Sequence, residues 1–89
     1  MKLSIIVTHY RTPELLKLCL QSLQEATREI PAEILVLDSE SEDETEMMIR
    51  DQFPDIAFSP FHKNTGYAKI VNVGLSRAQG DFLLVLNAD

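Results

Sequence analysis

The sequence predicts an α/β fold, a doubly wound, Rossmann-like parallel sheet of about four strands in the order β-α-β-α-β-α-β. Three observations predict it. Short apolar runs rich in branched residues alternate with stretches whose apolar residues recur every three or four positions. Pro13, Pro31, Pro54 and Gly80 fall where one pattern gives way to the next. The connections between segments are short, so strands joined through helices must run parallel, by right-handed crossovers.

Each element follows from its residues. The run from Leu3 to Val7 reads as a buried strand. Thr12-Pro13-Glu14 opens a helix, with Thr12 as N-cap and Pro13 at the first helical position, where a missing N–H costs nothing. Leu16, Cys19, Leu20 and Leu23 give that helix one apolar face. Residues 34–37 form the second strand. Ser41-Glu42-Asp43-Glu44 reads as a capping box for a second helix, with Thr45, Met48, Ile49 and Phe53 facing the core, and Pro54 ends it. A weaker strand follows around residues 56–59. The third helix begins near Gly66, turns Val71, Leu75 and Ala78 inward, and stops where Gly80 is expected in the left-handed conformation. Residues 81–86, "DFLLVL", form the last strand.

At 89 residues the chain is one domain, near the lower limit for burying a self-sufficient core. A net charge of -6 argues against a nucleic-acid or anionic-membrane partner. The single cysteine, Cys19, excludes an internal disulfide and fits a reducing compartment. The amino terminus is too short in apolar residues for a signal peptide or a spanning helix, so the default address is cytoplasmic, with a longer parent free to sit at the cytoplasmic face of a membrane.

In an open α/β sheet, ligands bind at the carboxyl ends of the strands. Those ends carry Thr8-His9-Tyr10-Arg11, Asp38-Ser39-Glu40-Ser41, the loop Lys63-Asn64-Thr65-Gly66, and Asn87-Ala88-Asp89. No glycine follows the first strand, which argues against a dinucleotide site, and no P-loop is present. Carboxylates are also missing after the first strand, against a phospho-acceptor receiver. Tyr10 offers a plane on which a nucleobase could stack, worth about 1–3 kcal/mol. Asp38 offers an acceptor for a pyrimidine ring N–H. Asp89 offers a hard oxygen for Mg²⁺ or Mn²⁺ bound to a diphosphate.

Bland readings stand beside these. Tyr10 could be ordinary packing, and Asp38 a turn cap, although Ser41 already fills that place. His9 reads as a surface or hydrogen-bonded histidine, since no Ser or Cys nucleophile accompanies it. The acidic run from Glu40 to Glu46 reads as a solvated first helical turn favoured by the helix dipole. Gly66 and Gly80 could be backbone punctuation.

The blocks "SIIVTHYRTPELLKLCLQSL", "EILVLDSESEDET" and "NTGYAKIVNVGLSRAQGDFLLVLNAD" together resemble the amino-terminal, nucleotide-sugar-binding half of a family 2 glycosyltransferase of the GT-A fold. The resemblance implies that Tyr10 and Asp38 hold the uracil or thymine of a UDP- or dTDP-sugar. Asn64 and Gly66 then lie in the loop beside the nucleotide, with Asn72 and Gly74 following in the helix. The family's metal-binding Asp-x-Asp maps onto Asn87-Ala88-Asp89, in a form resembling the bacterial rhamnosyltransferase-like branch. Asp89 becomes the expected ligand to Mg²⁺ or Mn²⁺. Thr8 and Arg11 complete the expected donor site, with Arg11 either on a phosphate or solvated.

Four positions depart from the family pattern. Arg11 stands where Asn is common, and His9 where a small polar residue is common. The second-strand turn lacks its usual glycine, with Glu40 in that place. Asn87 supplies a neutral oxygen, so the cation is expected to bind less strongly.

The implied parent moves a sugar from a nucleotide-sugar donor to a saccharide or lipid-linked acceptor in cell-surface polysaccharide synthesis. The expectation is of a fragment, 1–89, inactive alone, with its general base downstream. A strand order of 3-2-1-4 would leave residues 81–86 open to association with a second copy. The alternative is a stand-alone, non-catalytic nucleotide-binding or protein-interaction module. A stop codon after codon 89 would favour the module, and a longer frame the transferase.

Overall fold

Four parallel strands lie side by side in the order β3-β2-β1-β4 in a computed structural model that describes residues 2–62 and 66–88. The elements along the chain are β1 (Leu3–Tyr10), α1 (Pro13–Ala26), β2 (Ala32–Ser39), α2 (Asp43–Gln52), β3 (Ala57–Phe61), α3 (Tyr67–Arg77) and β4 (Phe82–Asn87). This is the predicted α/β order, and the strand order is the one the family resemblance implies.

Alternation along the strands divides the core. Ile5 and Val7 of β1 and Val36 of β2 face α1 and α2, where Leu16, Leu20, Ile49 and Phe53 close over them. Ile6 and Leu37 face the other way and meet Ile70 of α3. Each fully buried aliphatic side chain contributes about 1.5–3 kcal/mol relative to exposure. The two-sided cover explains why β1 and β2 read as continuous apolar runs instead of alternating ones.

The helix boundaries follow backbone chemistry with small shifts. Thr12 is the α1 N-cap residue, but its side chain makes no capping hydrogen bond. The expected capping box at Ser41 is displaced by one residue: Glu42 is the α2 N-cap, again without a side-chain cap. Ser41 instead donates its N–H to the Phe61 carbonyl at 2.8 Å, which ties the β2 turn to the end of β3. Asp43, Glu44 and Glu46 occupy the first turn of α2, where the helix dipole favours negative charge.

The third helix departs further. Its buried residues are Ile70 and Gly74, while Leu75 is 41% exposed. A glycine carries no apolar signal, so the hydrophobic pattern pointed to the neighbouring face. A Cβ on Gly74 would stand 2.7 Å from Leu37 Cδ1 and 3.1 Å from Ile6 Cγ2, so the helix sits on the sheet at the distance its glycine permits.

Gly80 is not in the left-handed conformation, and α3 is closed by Ala78. Its role is space. Gly80 donates its N–H to Ser4 Oγ at 2.8 Å; that hydroxyl donates to Glu33, and Glu33 Oε2 also accepts the Gln79 N–H at 2.6 Å. The Ser4 hydroxyl and then the Gln79 amide hold the Glu33 carboxyl below its ordinary pKa. This network at the amino ends of the strands feeds the chain into β4.

The left-handed backbone falls on two other residues, Arg11 with φ 52° and Glu40 with φ 50°. Both are in the turns that leave β1 and β2. Outside glycine this conformation costs roughly 1–2 kcal/mol. Glu40→Gly is therefore expected to raise stability by about 1 kcal/mol once the glycine's extra unfolded-state entropy is subtracted. Urea unfolding checks it, and a loss of stability would refute the assignment of strain to Glu40.

The sheet ends differently at its two edges. β3 carries Pro60, which has no N–H to offer a further strand. β4 carries no proline and exposes Phe82, Leu83, Leu84 and Val85. This apolar run is the open edge of the sheet, as the 3-2-1-4 order implies.

Candidate functional site

At the carboxyl ends of β1, β2 and β4 lies a cleft of about 450 Å³, lined by Thr8, His9, Tyr10, Leu37, Ser39, Glu40, Gly66, Tyr67, Ile70 and Asn87. The topology puts it there. The chain steps from β1 to β2 to β3 across α1 and α2, then returns over the other face through α3 to place β4 against β1. The sheet opens where those directions diverge, at its topological switch point.

Strand register sets the walls. Thr8 pairs with Asn87, and Tyr10 with Ser39, so each pair projects side by side. Ala88 donates its N–H to the Thr8 carbonyl at 2.9 Å and is buried, which locks the end of β4 onto β1 and fixes where Asn87 emerges. Thr8 is itself buried, with its hydroxyl 3.3 Å from the Leu86 carbonyl. Leu37 and Ile70 form an apolar floor.

Asp38 stands at the carboxyl end of β2, as expected, next to residues that line the cleft. It lies between Leu37 and Ser39, which line the cleft, and by strand alternation its side chain turns to the opposite face with Val36. There it is 1% exposed, with Oδ1 2.6 Å from His9 Nδ1. His9 Nε2 accepts the Thr12 N–H at 2.8 Å. An imidazole nitrogen that accepts a hydrogen bond carries no proton, so His9 holds its proton on Nδ1 and donates it to Asp38. Of the two sequence readings of His9, the structure shows the hydrogen-bonded one: its side chain is fully buried.

The pair closes the turn that carries Tyr10 and Arg11 from β1 into α1. Among the described residues, Asp38 Oδ2 and Ser41 Oγ are buried without hydrogen-bond partners.

The remaining expected site residues divide. Thr8, Tyr10, Gly66 and Asn87 lie on the cleft. Arg11 is exposed beside it, 3.8 Å from Glu42 Oε1, and its guanidinium is pushed above its ordinary pKa by a hydrogen bond with Tyr10 and then by Glu42. Asn72 is exposed along α3 and is absent from the cleft wall. Asn64 and Asp89 lie outside the described residues. Ser39 and Glu40 were placed on the rim by the sequence but given no site role, and Tyr67 was not singled out. Period-two alternation on β2 pairs Ser39 with Leu37, and an aromatic directly after Gly66 was a visible signal for Tyr67.

No group of three His, Cys, Asp or Glu side chains able to hold a metal occurs among the described residues. The oxygen-bearing side chains among the residues that line the cleft are those of Thr8, Tyr10, Ser39, Glu40, Tyr67 and Asn87. Such a set suits a hard cation that takes its other ligands from a bound phosphate. No helix among the described residues is long and apolar enough to cross a membrane.

Comparison with known proteins agrees with this geometry. The chain is 30% identical over 91 residues to a teichoic acid poly(glycerol phosphate) polymerase of Staphylococcus epidermidis, covering 99% of the chain and 13% of that protein. Among solved structures, TarS 1-349 of S. aureus superposes with a TM-score of 0.80 at 30% identity, over 100% of the chain and 28% of that structure. The mannosyltransferase PcManGT of Pyrobaculum calidifontis, in complex with GDP-Man and Mn²⁺, superposes with a TM-score of 0.79 at 27% identity, over 98% of the chain and 27% of that structure. The chain thus spans little more than a quarter of the length of these proteins, or less. The sequence model of glycosyl transferase family 2 matches residues 4–89. The chain belongs to glycosyl transferase family 2.

Proposed function

We propose that this chain forms the donor-nucleotide-binding part of a glycosyltransferase that moves a sugar from a nucleoside diphosphate sugar to a saccharide or lipid-linked acceptor, in the synthesis of a cell-surface polysaccharide. One observation carries the reading: the cleft at the switch point presents Tyr10 over an apolar floor of Leu37 and Ile70, with polar groups on its rim. The floor and the tyrosine suit a base, and Asn87 on the β4 side suits the diphosphate end. The family membership and the neighbour in complex with GDP-Man and Mn²⁺ support it.

The pyrimidine preference expected from the sequence rested on Asp38 as acceptor for a ring N–H. His9 engages only Oδ1 of that carboxylate, which leaves Oδ2 as the acceptor, and Ser39 and Glu40 on the cleft offer further edge contacts. Asn87, together with Asp89 from outside the described residues, would hold Mg²⁺ or Mn²⁺. The cation would supply charge neutralisation for the departing diphosphate. The protein's own contribution is to bind and orient: the His9–Asp38 pair holds the Tyr10 turn, and Ala88 holds Asn87. Deprotonation of the acceptor hydroxyl falls to a base elsewhere in a longer protein.

Calorimetric titration of UDP, dTDP and GDP with Mg²⁺ tests the reading and ranks the bases. Saturable binding, weakened about tenfold in Tyr10→Ala, is expected. Absence of saturable binding by all three would end it. A second expectation concerns the open edge of β4. Its unpaired backbone groups and exposed apolar side chains favour pairing with a second copy. Sedimentation over a concentration series should show association that Leu84→Lys abolishes; a monomer unchanged by that substitution would refute it.

A further inference from the structure

Every tyrosine in the chain lies on the cleft. The sequence has two, Tyr10 and Tyr67, and no tryptophan, and both line the same cavity. They reach it from different elements. Tyr10 ends β1, whereas Tyr67 is the first residue of α3, a helix seated on the sheet through Ile70 and Gly74. Tyr10 is 49% and Tyr67 61% exposed. Neither ring is spent on the core, although covering a tyrosine typically buries 150–250 Å² of favourable surface.

The groups between them have a pattern. Leu37 and Ile70 give an apolar floor, and Ser39 and Glu40 bring a hydroxyl and a carboxylate to one margin. A planar heteroaromatic ring matches this arrangement, because its faces seek aromatic planes and its edge seeks donors and acceptors. A phosphate does not match it, since neither tyrosine nor the floor offers positive charge. We propose that Tyr67 is a second base-binding wall, so that the nucleobase of a nucleoside diphosphate is held between Tyr10 and Tyr67 and is read at its edge by Ser39 and Glu40. The proposal rests on the reading of the cleft as a nucleotide site and adds to it a residue that determines affinity for the base.

The tyrosine content makes the test direct, because with no tryptophan in the 89-residue chain all tyrosine emission comes from these two rings. Tyr67→Phe leaves Tyr10 as the sole emitter, and Tyr10→Phe leaves Tyr67. Each variant is titrated with UDP and with GDP in Mg²⁺, and with pyrophosphate as a control that lacks a base. Mn²⁺ is avoided because it quenches by itself. The expected result is saturable, base-dependent quenching in both variants with matching midpoints. Tyr67→Ala should weaken nucleotide binding about tenfold while Tyr67→Phe stays within about twofold. Circular dichroism confirms that the variants fold. Saturable quenching of Tyr10 with Tyr67 unaffected would overturn the second wall and leave the nucleotide reading intact. Absence of saturable quenching in the unsubstituted chain would overturn both.

Discussion

His9→Ala is expected to destabilise the chain by about 3–5 kcal/mol, a large part of the 5–15 kcal/mol that holds a domain of this kind together. The substitution strips Asp38 Oδ1 of its donor in a site where the carboxylate is 1% exposed and Oδ2 already lacks a partner. It also removes the acceptor of the Thr12 N–H at the start of α1. A buried charge with nothing to balance it costs more than the pair contributed. Asp38→Asn keeps an acceptor at Oδ1 and removes the charge, so it should cost less than His9→Ala. The double substitution of His9 and Asp38 by Ala should fall short of the sum of the single effects by about 1–3 kcal/mol, because either one breaks the same interaction. Urea unfolding of the unsubstituted chain, His9→Ala, Asp38→Asn, Asp38→Ala and the double variant gives all the values. A cost below about 1 kcal/mol for His9→Ala would show that the pair is not a structural clasp.

Gly80→Ala is expected to cost about 3 kcal/mol, although it adds a single methyl group. The added Cβ would meet Ser4 Oγ at 2.6 Å, the Lys2 carbonyl at 2.7 Å and the Ser4 amide at 2.8 Å. Two of these are backbone atoms of the β1 entry, so relief requires β1 and the approach to β4 to separate. That movement also breaks the Gly80 hydrogen bond to Ser4. The other glycines serve as internal controls. Gly66 has nothing within 4 Å of its Cβ position, so Gly66→Ala should be near neutral. Gly74→Ala meets mainly the movable end of Leu37 and gains about 1 kcal/mol of helix propensity, which offsets the crowding. Thermal unfolding should rank Gly80→Ala far below the other two. Equal effects at the three positions would contradict the close approach.

The physics that made parts of this molecule legible in the sequence is the physics of burial. Runs such as residues 3–7 and 34–37 are covered on both sides, so they are continuously apolar and read as parallel strands. Leu16 and Leu20, and Thr45 and Ile49, lie one helical turn apart and read as helix faces. The rim at the strand ends followed from topology, and it holds Thr8, Tyr10, Gly66 and Asn87 as expected.

What stayed hidden depends on register and on backbone contact. Asp38 and Ser39 are neighbours in sequence, but a pleated strand sends them to opposite faces, one to His9 and the other to the cleft. Nothing in the sequence sets the β1–β2 register that pairs Tyr10 with Ser39. Gly74 and Gly80 act through the side chain they lack, so hydropathy overlooked the first and helix-capping rules misread the second. The missing glycine after β2 was noticed, and its physical meaning is the left-handed Glu40.

The central claim is that a nucleoside diphosphate occupies the cleft at the carboxyl ends of β1, β2 and β4. Amide NMR spectra of the chain titrated with UDP and Mg²⁺ test it most directly. The account predicts that residues 8–11, 39–40, 66–67 and 87 shift together with one midpoint, while Ser4, Glu33 and Gln79 at the opposite ends of the strands stay still. Shifts confined to that opposite rim or to α2, with the cleft residues unmoved, would contradict it.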